Sequence, residues 1–132
     1  MNGLDAPRPI SKPVLWIGRV LTCLPALLLL FSGAMKLMPI SPEISKEFDR
    51  LGWPTSLALP LAIVEITCTL LYLLPPTSVL GAILLTGYMG GAIATHVRIG
   101  DPFYLQAAIG VVVWLGLYLR CRRLRAILPL RR

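Results

Sequence analysis

The chain has 132 residues, of which 56% are hydrophobic and only 14% are charged, whereas a soluble domain carries about 25% charged residues. Its mean hydropathy is +0.76. A transmembrane helix needs roughly 20 apolar residues, so four helices with short connections use nearly the whole length. The composition therefore predicts a polytopic membrane protein and excludes a separate soluble catalytic domain.

The net charge of +7 is concentrated towards one end, because six of the thirteen basic residues lie in 120–132. A basic run beside a hydrophobic helix is the usual orientation signal and faces anionic lipid. The basic residues are not interleaved with aromatic residues as in a stacking groove, so nucleic acid is not expected as a partner. Membrane lipid is.

Four apolar stretches are predicted to cross the bilayer, separated by turns rich in proline and glycine. Before them, residues 1–13 are rich in proline and polar groups and predict a disordered cytoplasmic arm. After them, residues 120–132 form a basic cytoplasmic tail. The transmembrane domain is expected over 14–119, with its spans at 14–37, 55–74, 77–97 and 103–119.

The segment between the first two spans differs in kind from the spans themselves. Ser41-Pro42-Glu43 is a helix start signal, and Ile44, Phe48 and Leu51 recur on one helical face. This pattern predicts a short amphipathic helix on the membrane surface. The fold class is therefore an all-α, four-transmembrane-helix bundle with a short amphipathic helix between the first and second spans.

The distribution of lysine and arginine predicts the orientation. The arm before the first span and the tail after the last hold most of the flanking positive charge, which favours the cytoplasmic side. An even number of spans is needed to put both ends on one side, and four spans satisfy this. We therefore expect a multi-pass protein of the cell (cytoplasmic) membrane with both termini in the cytoplasm.

Glu65 lies near the centre of the second span, where an unpaired carboxylate costs about 3 kcal/mol. Arg19 on the antiparallel first span lies at an axial offset of about 6 Å and is its candidate partner. A purely structural ion pair is one interpretation. A ligand or proton site is favoured, because Cys68, Thr69 and Tyr72 make one face of the same helix polar.

Lys36 near the end of the first span either snorkels to the outer surface or covers a site from outside, one turn beyond Ser32. The third span carries Gly87 and Gly91, a small-x-x-x-small face predicted to pack tightly. Gly33 has the same expected role on the first span. Among the cysteines, a pairing of Cys23 with Cys68 is conceivable, but buried cysteines more often act as small hydrophobic residues.

Polar residues also cluster near the end of the third span. Tyr88, Thr95 and His96 share much of one side of the helix, and Arg98 and Asp101 follow, which suggests an outer titratable cluster. A solvated interfacial histidine is equally consistent with this pattern. No nucleotide-binding loop, metal-ligand pair or Ser-His-Asp arrangement can be assembled, so no metal is expected.

Several of these segments together resemble a known family. They are Arg19, the sequence S-G-A-M-K-L that ends the first span, Glu65, and G-G-A-I-A-T-H-V-R-I-G-D-P over 90–102. This pattern is similar to the DoxX-like family of small four-helix membrane proteins, over about residues 15–125. The G-G-A-x-A-T-H-x-R part is its most specific piece.

The resemblance implies that Arg19, Gly33, Lys36 and Glu65 are family positions, and that a narrower branch shares His96 and Arg98. The family takes its name from a subunit of a thiosulfate:quinone oxidoreductase. Other members are associated with membrane-linked thiol and oxidative-stress systems, and related four-helix membrane folds bind lipophilic ligands or client helices. This chain has no family-typical cysteine pair that would make it a self-sufficient redox enzyme.

The favoured hypothesis is a redox-associated membrane subunit that binds a lipophilic small molecule, such as a quinone, in an intrabundle pocket. Glu65 and Arg19 would carry the chemistry, and the ligand-binding residues would be Lys36, Cys68, Tyr88, Thr95, His96 and Arg98. One alternative is a non-enzymatic partner or assembly subunit that docks another membrane protein or a second copy. The other is a cofactor-free enzyme on a lipid substrate, with Glu65 as acid or base.

Overall fold

The computed structural model describes residues 9–128, and the regular structure in this range is helical. Three helices are long and apolar enough to cross a membrane, and a fourth apolar helix is shorter, at 17 residues. The helices are α1 (Lys12–Leu37), α2 (Pro42–Leu51), α3 (Ala58–Leu73), α4 (Ser78–Arg98), α5 (Tyr104–Arg120) and α6 (Arg122–Ile127), with 3₁₀ turns at Thr55–Leu57 and Pro75–Thr77.

The helix ends follow from local sequence. Proline stands in the first turn of both α1 and α2, where its missing N–H leaves no bond unmade. The Ser41 hydroxyl accepts a hydrogen bond from the Ile44 amide at 3.4 Å and caps α2. At its other end Gly52 adopts a φ of 76°, a left-handed conformation that glycine enters without strain.

Four helices form a closed ring in which α1 packs on α3 and α5, and α4 packs on the same two helices. The outer faces are apolar and open, as in Phe31, which is 68% exposed, and Val111, which is 66% exposed. Such a large exposed apolar surface suits lipid rather than water. The core on the inner side is built around Tyr72, Leu85 and Leu117.

The end of the bundle farthest from α2 is fastened by polar contacts among α1, α3 and α5. The Tyr72 hydroxyl donates to the Val113 carbonyl at 2.7 Å. Arg120 donates to the Thr22 hydroxyl at 3.0 Å and to the Tyr72 carbonyl at 3.2 Å. Because each buried polar group finds a partner, this cluster stabilises the register of the helices.

The first helix begins earlier than its predicted span. The helix α1 begins at Lys12, so the last two residues of the arm predicted over 1–13 are helical, since Pro13 suits a first helical turn. Residues 1–8 of that arm lie outside the described range, as do residues 129–132 of the predicted tail. Within the tail, α6 buries Leu124 against the core.

Candidate functional site

An ion pair between α1 and α3 forms the centre of the site. The Lys36 ammonium donates to the Glu65 carboxylate at 2.5 Å, and to the Ser32 hydroxyl one turn back at 2.9 Å. The Glu65 side chain is 3% exposed and that of Lys36 is 19% exposed. Lys36 is therefore the member of the pair nearer the surface, and Glu65 is the member held inside the bundle.

Tyr88 on α4 completes this cluster. Its hydroxyl donates to the same Glu65 carboxylate oxygen at 3.2 Å, so a single oxygen receives both the ammonium and the phenol. Charge-assisted hydrogen bonds of this kind are about twice as strong as neutral ones. The three residues come from three different helices, and their side chains meet because α3, which carries Glu65, packs against both α1 and α4.

The cluster opens into a cavity of about 530 Å³, within the range of small-molecule sites. Its walls are mainly apolar, and its polar groups are few, which is the usual composition of a small-molecule site. Among its lining residues are Leu28, Leu29, Ser32, Lys36, Leu57, Leu61, Glu65, Tyr88, Met89, Thr95, His96, Gln106 and Ile109.

The helix α2 covers one side of this cavity. Phe48, which is 5% exposed, and Leu51 both line it, and Trp53 follows them just after the helix. The apolar face predicted to lie on the membrane surface is therefore turned at least in part towards the cavity. Burying these side chains is what holds an otherwise polar helix of ten residues against the bundle.

Polar contacts hold the end of α2 in place. Arg98 donates to the Leu51 carbonyl, and Arg50 forms ion pairs with Asp101 and, at 2.6 Å, with Glu47. The hydrogen bond to Glu47, and then that to Asp101, raises the pKa of the Arg50 guanidinium. Arg98 is not among the residues that line the cavity, because its side chain reaches the backbone of α2, and its ligand-binding role stays a prediction.

His96 lies in the cavity wall with a neighbour that sequence reasoning missed. Its Nδ1 is 2.8 Å from the Ala92 carbonyl oxygen, and its Nε2 is 3.4 Å from Nε2 of Gln106 on α5. Asp101 is 4.0 Å from the same ring nitrogen. Thr95 also lines the cavity, but its hydroxyl donates to the Gly91 carbonyl at 2.8 Å.

The expected pairing of Arg19 with Glu65 is wrong. Arg19 is exposed on the outside of α1, with its guanidinium carbon 5.4 Å from the Trp16 ring centroid, and Lys36 pairs with Glu65 instead. The physical reason is the direction in which the side chains of a helix point. A helical side chain leans towards the N-terminus of its own helix, so on antiparallel helices Arg19 and Glu65 lean apart, whereas Lys36 and Glu65 lean together.

Gly87 and Gly91 do not pack closely against another helix within residues 9–128, so their packing role stays a prediction. A Cβ added at either glycine meets no atom within 4 Å, and both residues line the cavity. Close packing in α4 occurs at Gly81 instead, which lies against the α3 backbone. Gly33 faces the Ile66 side chain of α3, where an added Cβ would lie 2.6 Å from Cγ1.

The cysteines remain apart from this site. Cys23, Cys68 and Cys121 are free thiols. Cys68 is buried in the core beside Tyr72 and is not among the residues that line the cavity, so its ligand-binding role stays a prediction. Within residues 9–128, no three histidine, cysteine, aspartate or glutamate side chains are grouped as metal ligands.

The helices and the site together define a class: a small, helical, multi-pass membrane protein with a mainly apolar cavity built on a buried ion pair. The sequence profile of the DoxX-like family matches residues 20–119, and the chain belongs to that family. The matched range contains every residue that lines the cavity. No curated protein and no solved structure matches the chain.

Proposed function

We propose that this DoxX-like protein binds a lipophilic small molecule in the cavity between α1, α3, α4 and α5. The observation that carries the proposal is the Lys36–Glu65–Tyr88 cluster, which stands against the wall of a 530 Å³ cavity whose other walls are mainly apolar. A buried charged pair in a membrane bundle is costly and marks a functional site by default. The apolar walls would contact the apolar part of the ligand, and the Lys36–Glu65–Tyr88 cluster would hydrogen-bond its polar group.

The cluster suits a ligand with an oxygen acceptor. The Lys36 ammonium has three donors, and Ser32 and Glu65 account for two of them. The third is free to donate to a carbonyl or hydroxyl oxygen of the ligand. A quinone has such carbonyls on an apolar body, so quinone is the first ligand to test, and a redox-associated membrane subunit is the role that would follow.

The accompanying topology is four spans with both ends in the cytoplasm. The helix α5 has 17 residues and is about 26 Å long, which falls slightly short of a hydrocarbon core of about 30 Å. Phe103 before it and the basic residues after it extend the crossing. In this arrangement α2 and the loop of Gly100 face outward.

Labelling with a membrane-impermeant maleimide tests this topology. In a background with the three native cysteines replaced by alanine, Ser45→Cys in α2 and Ala126→Cys in α6 place single thiols at the two ends of the bundle. We expect intact cells to label Ser45→Cys and to label Ala126→Cys only after permeabilisation. Equal labelling of both in intact cells would rule out the four-span arrangement.

Mass spectrometry of co-purifying small molecules tests the function. Wild-type protein and the Glu65→Gln variant are purified in mild detergent, and both are first shown to be folded. We expect the wild type to retain a quinone or another lipid and the variant to retain at least tenfold less, because glutamine does not hold the Lys36 ammonium in place by charge. Equal retention by both proteins would contradict the role of Glu65.

Two further variants form a matched control for that experiment. Gly87→Leu adds a side chain to the cavity wall, whereas Gly90→Leu adds one on an exposed part of α4 that does not line the cavity, and neither glycine has an atom within 4 Å of an added Cβ. Ligand retention should fall in Gly87→Leu and persist in Gly90→Leu.

A second candidate function is docking of a partner membrane protein or a second copy. It is favoured by the exposed small residues Gly90 and Ala94, which allow another helix to approach α4 closely. In that case Gly90→Leu would disrupt a complex in native gels while Glu65→Gln would not. An enzyme on a lipid substrate would show turnover that Glu65→Gln abolishes with binding intact.

A further inference from the structure

The cavity reaches the outer surface of the bundle beside α1 and α5. Leu28 on α1 and Leu105 on α5 both line it, yet they are 47% and 58% exposed. Phe48 of α2 lines it as well but is only 5% exposed. A side chain that lines a cavity and stays half exposed marks a place where the cavity opens. The wall at the two leucines is therefore open, whereas the wall at Phe48 is closed.

Both leucines lie along the line of contact between α1 and α5. Gly116 of α5 packs on the backbone of α1, where an added Cβ would lie 3.0 Å from the Leu21 carbonyl carbon. Leu28 follows Leu21 by about two helical turns, and Leu105 precedes Gly116 by about three. Each leucine therefore lies on the helix face that makes this contact. The two helices touch at Gly116 and leave space between them at the leucines.

The other three contacts around the ring are bridged by hydrogen bonds where they border the cavity. Glu65 of α3 accepts from Lys36 of α1 and from Tyr88 of α4. His96 of α4 and Gln106 of α5 lie within hydrogen-bonding distance, with their Nε2 atoms 3.4 Å apart. All of these side chains line the cavity. Three of the four contacts between neighbouring helices are thus held by polar groups at this depth.

Among the described residues, no such bridge joins α1 to α5 beside the cavity. The side-chain hydrogen bond between these two helices runs from Arg120 to Thr22, at the end of the bundle farthest from α2. Gly87 and Gly91 also line the cavity and are exposed, but their helix is held to α3 by the Tyr88 bond. The α1–α5 contact is therefore the one that can widen beside the cavity without loss of a hydrogen bond.

A row of side chains on α1 connects this opening to the polar cluster. Leu28, Ser32 and Lys36 follow one another at intervals of four residues, so they share one helical face, and all three line the cavity. Lys36 is near the end of α1, and Leu28 is two turns closer to the middle of the helix. Polar headgroup and apolar chain follow the same order in one leaflet of a bilayer. A lipid with its headgroup at Lys36 therefore has its chain at the opening.

We infer that the ligand enters the cavity sideways from the bilayer, between α1 and α5, and keeps its apolar chain in the opening at Leu28 and Leu105. This inference deepens the proposed function and rests on it, because it specifies the ligand class of the same cavity. The surface beside the opening is apolar, as at Leu27, which suits hydrocarbon chains rather than water. The ligand class is a long-chain lipid dissolved in the membrane, and not a compact solute taken from water.

Modification of a thiol inside the cavity tests this route. Ser32→Cys is made in the full chain with the three native cysteines replaced by alanine. The Ser32 hydroxyl is 2.9 Å from the Lys36 ammonium, and a nearby cation favours the reactive thiolate. The probe is N-dodecylmaleimide dissolved in the lipid of proteoliposomes, and mass spectrometry of the intact protein measures the rate. Reaction in sodium dodecyl sulfate confirms that the thiol is competent.

Three tryptophan variants locate the entrance. Leu28→Trp and Leu105→Trp fill the opening from its two sides, and each should slow the modification of Ser32→Cys roughly tenfold, because the filled contact must repack before the probe passes. Leu27→Trp is the matched control, since Leu27 is exposed on the outer face of α1 and does not line the cavity. It should change the rate by less than about twofold, as is usual for surface substitutions.

The inference is overturned if Leu28→Trp and Leu105→Trp both react as fast as Ser32→Cys alone. It is also overturned if a water-soluble, sulfonated maleimide modifies the folded protein and the lipid-dissolved probe does not, or if neither reagent does. These outcomes leave the proposed function standing, because ligand retention is measured separately by co-purification. Equal ligand retention by wild type and Glu65→Gln would instead count against the proposed function, whatever the route of entry.

Discussion

Replacing Lys36 with methionine is expected to destabilise the protein by about 3 kcal/mol, the cost typical of removing one partner of a buried ion pair. The variant leaves the Glu65 carboxylate, which is 3% exposed, without a cation. Unfolding by sodium dodecyl sulfate in mixed micelles, followed by circular dichroism, measures the change.

The reciprocal variant, Glu65→Gln, should cost less, about 1.5 kcal/mol, the lower end of the range for a hydrogen bond to a charged group. Glutamine still accepts from Tyr88, and the Lys36 side chain, already 19% exposed, is free to move to the surface. The double variant Lys36→Met with Glu65→Gln should recover most of the loss caused by Lys36→Met alone. Equal costs for the two single variants would show that the carboxylate is not the buried partner.

The sequence was sufficient to predict the helical architecture, because hydropathy, proline turns and the Ser41-Pro42-Glu43 start signal act over short stretches of chain. The family assignment was confirmed as well. Tyr88 was singled out by the side of the third span that it shares with Thr95 and His96, and Glu65 because a carboxylate in an apolar span needs a partner. In the structure the two side chains are hydrogen-bonded.

Arg19 was predicted as the partner of Glu65 in place of Lys36, because only the depth of each residue along its helix was compared. By axial position alone Arg19 is a suitable partner. The residues that a side chain contacts also depend on its tilt along the helix axis and on its angular position around that axis. The buried face of α1 includes Leu29 and Gly33, and Lys36 continues it, whereas Arg19 is about 100° away from Lys36 in helical projection. A helical projection of α1 therefore places Lys36, and not Arg19, on the buried face.

The glycines and Gln106 were unpredictable for a different reason. A glycine pattern on a helix is the same whether the space beside it is filled by another helix, as at Gly81, or left open, as at Gly87. The contact between Gln106 and His96 depends on the approach of α5 to α4. Both depend on which helices are neighbours, which is a property of the folded ring and not of any one segment.

Gly81→Ala is expected to be the most damaging single-methyl change, at more than about 3 kcal/mol, the upper part of the range for overpacking. A Cβ at this position would lie 2.6 Å from the Leu71 carbonyl carbon and closer still to the backbone nitrogen and Cα of Tyr72. Backbone atoms cannot swing aside as the end of a side chain does, so α3 and α4 would have to separate.

The matched control is Gly90→Ala on the same helix, where an added Cβ meets nothing within 4 Å. Alanine is the better helix former, so this variant should be unchanged or up to about 1 kcal/mol more stable. Detergent unfolding curves compare the two variants, and similar curves would contradict the close contact at Gly81.

Because Tyr88 lies two turns further along α4, separation at Gly81 should also move its hydroxyl from the 3.2 Å contact with Glu65. Gly81→Ala is therefore expected to lose ligand retention along with stability, whereas Gly90→Ala keeps both.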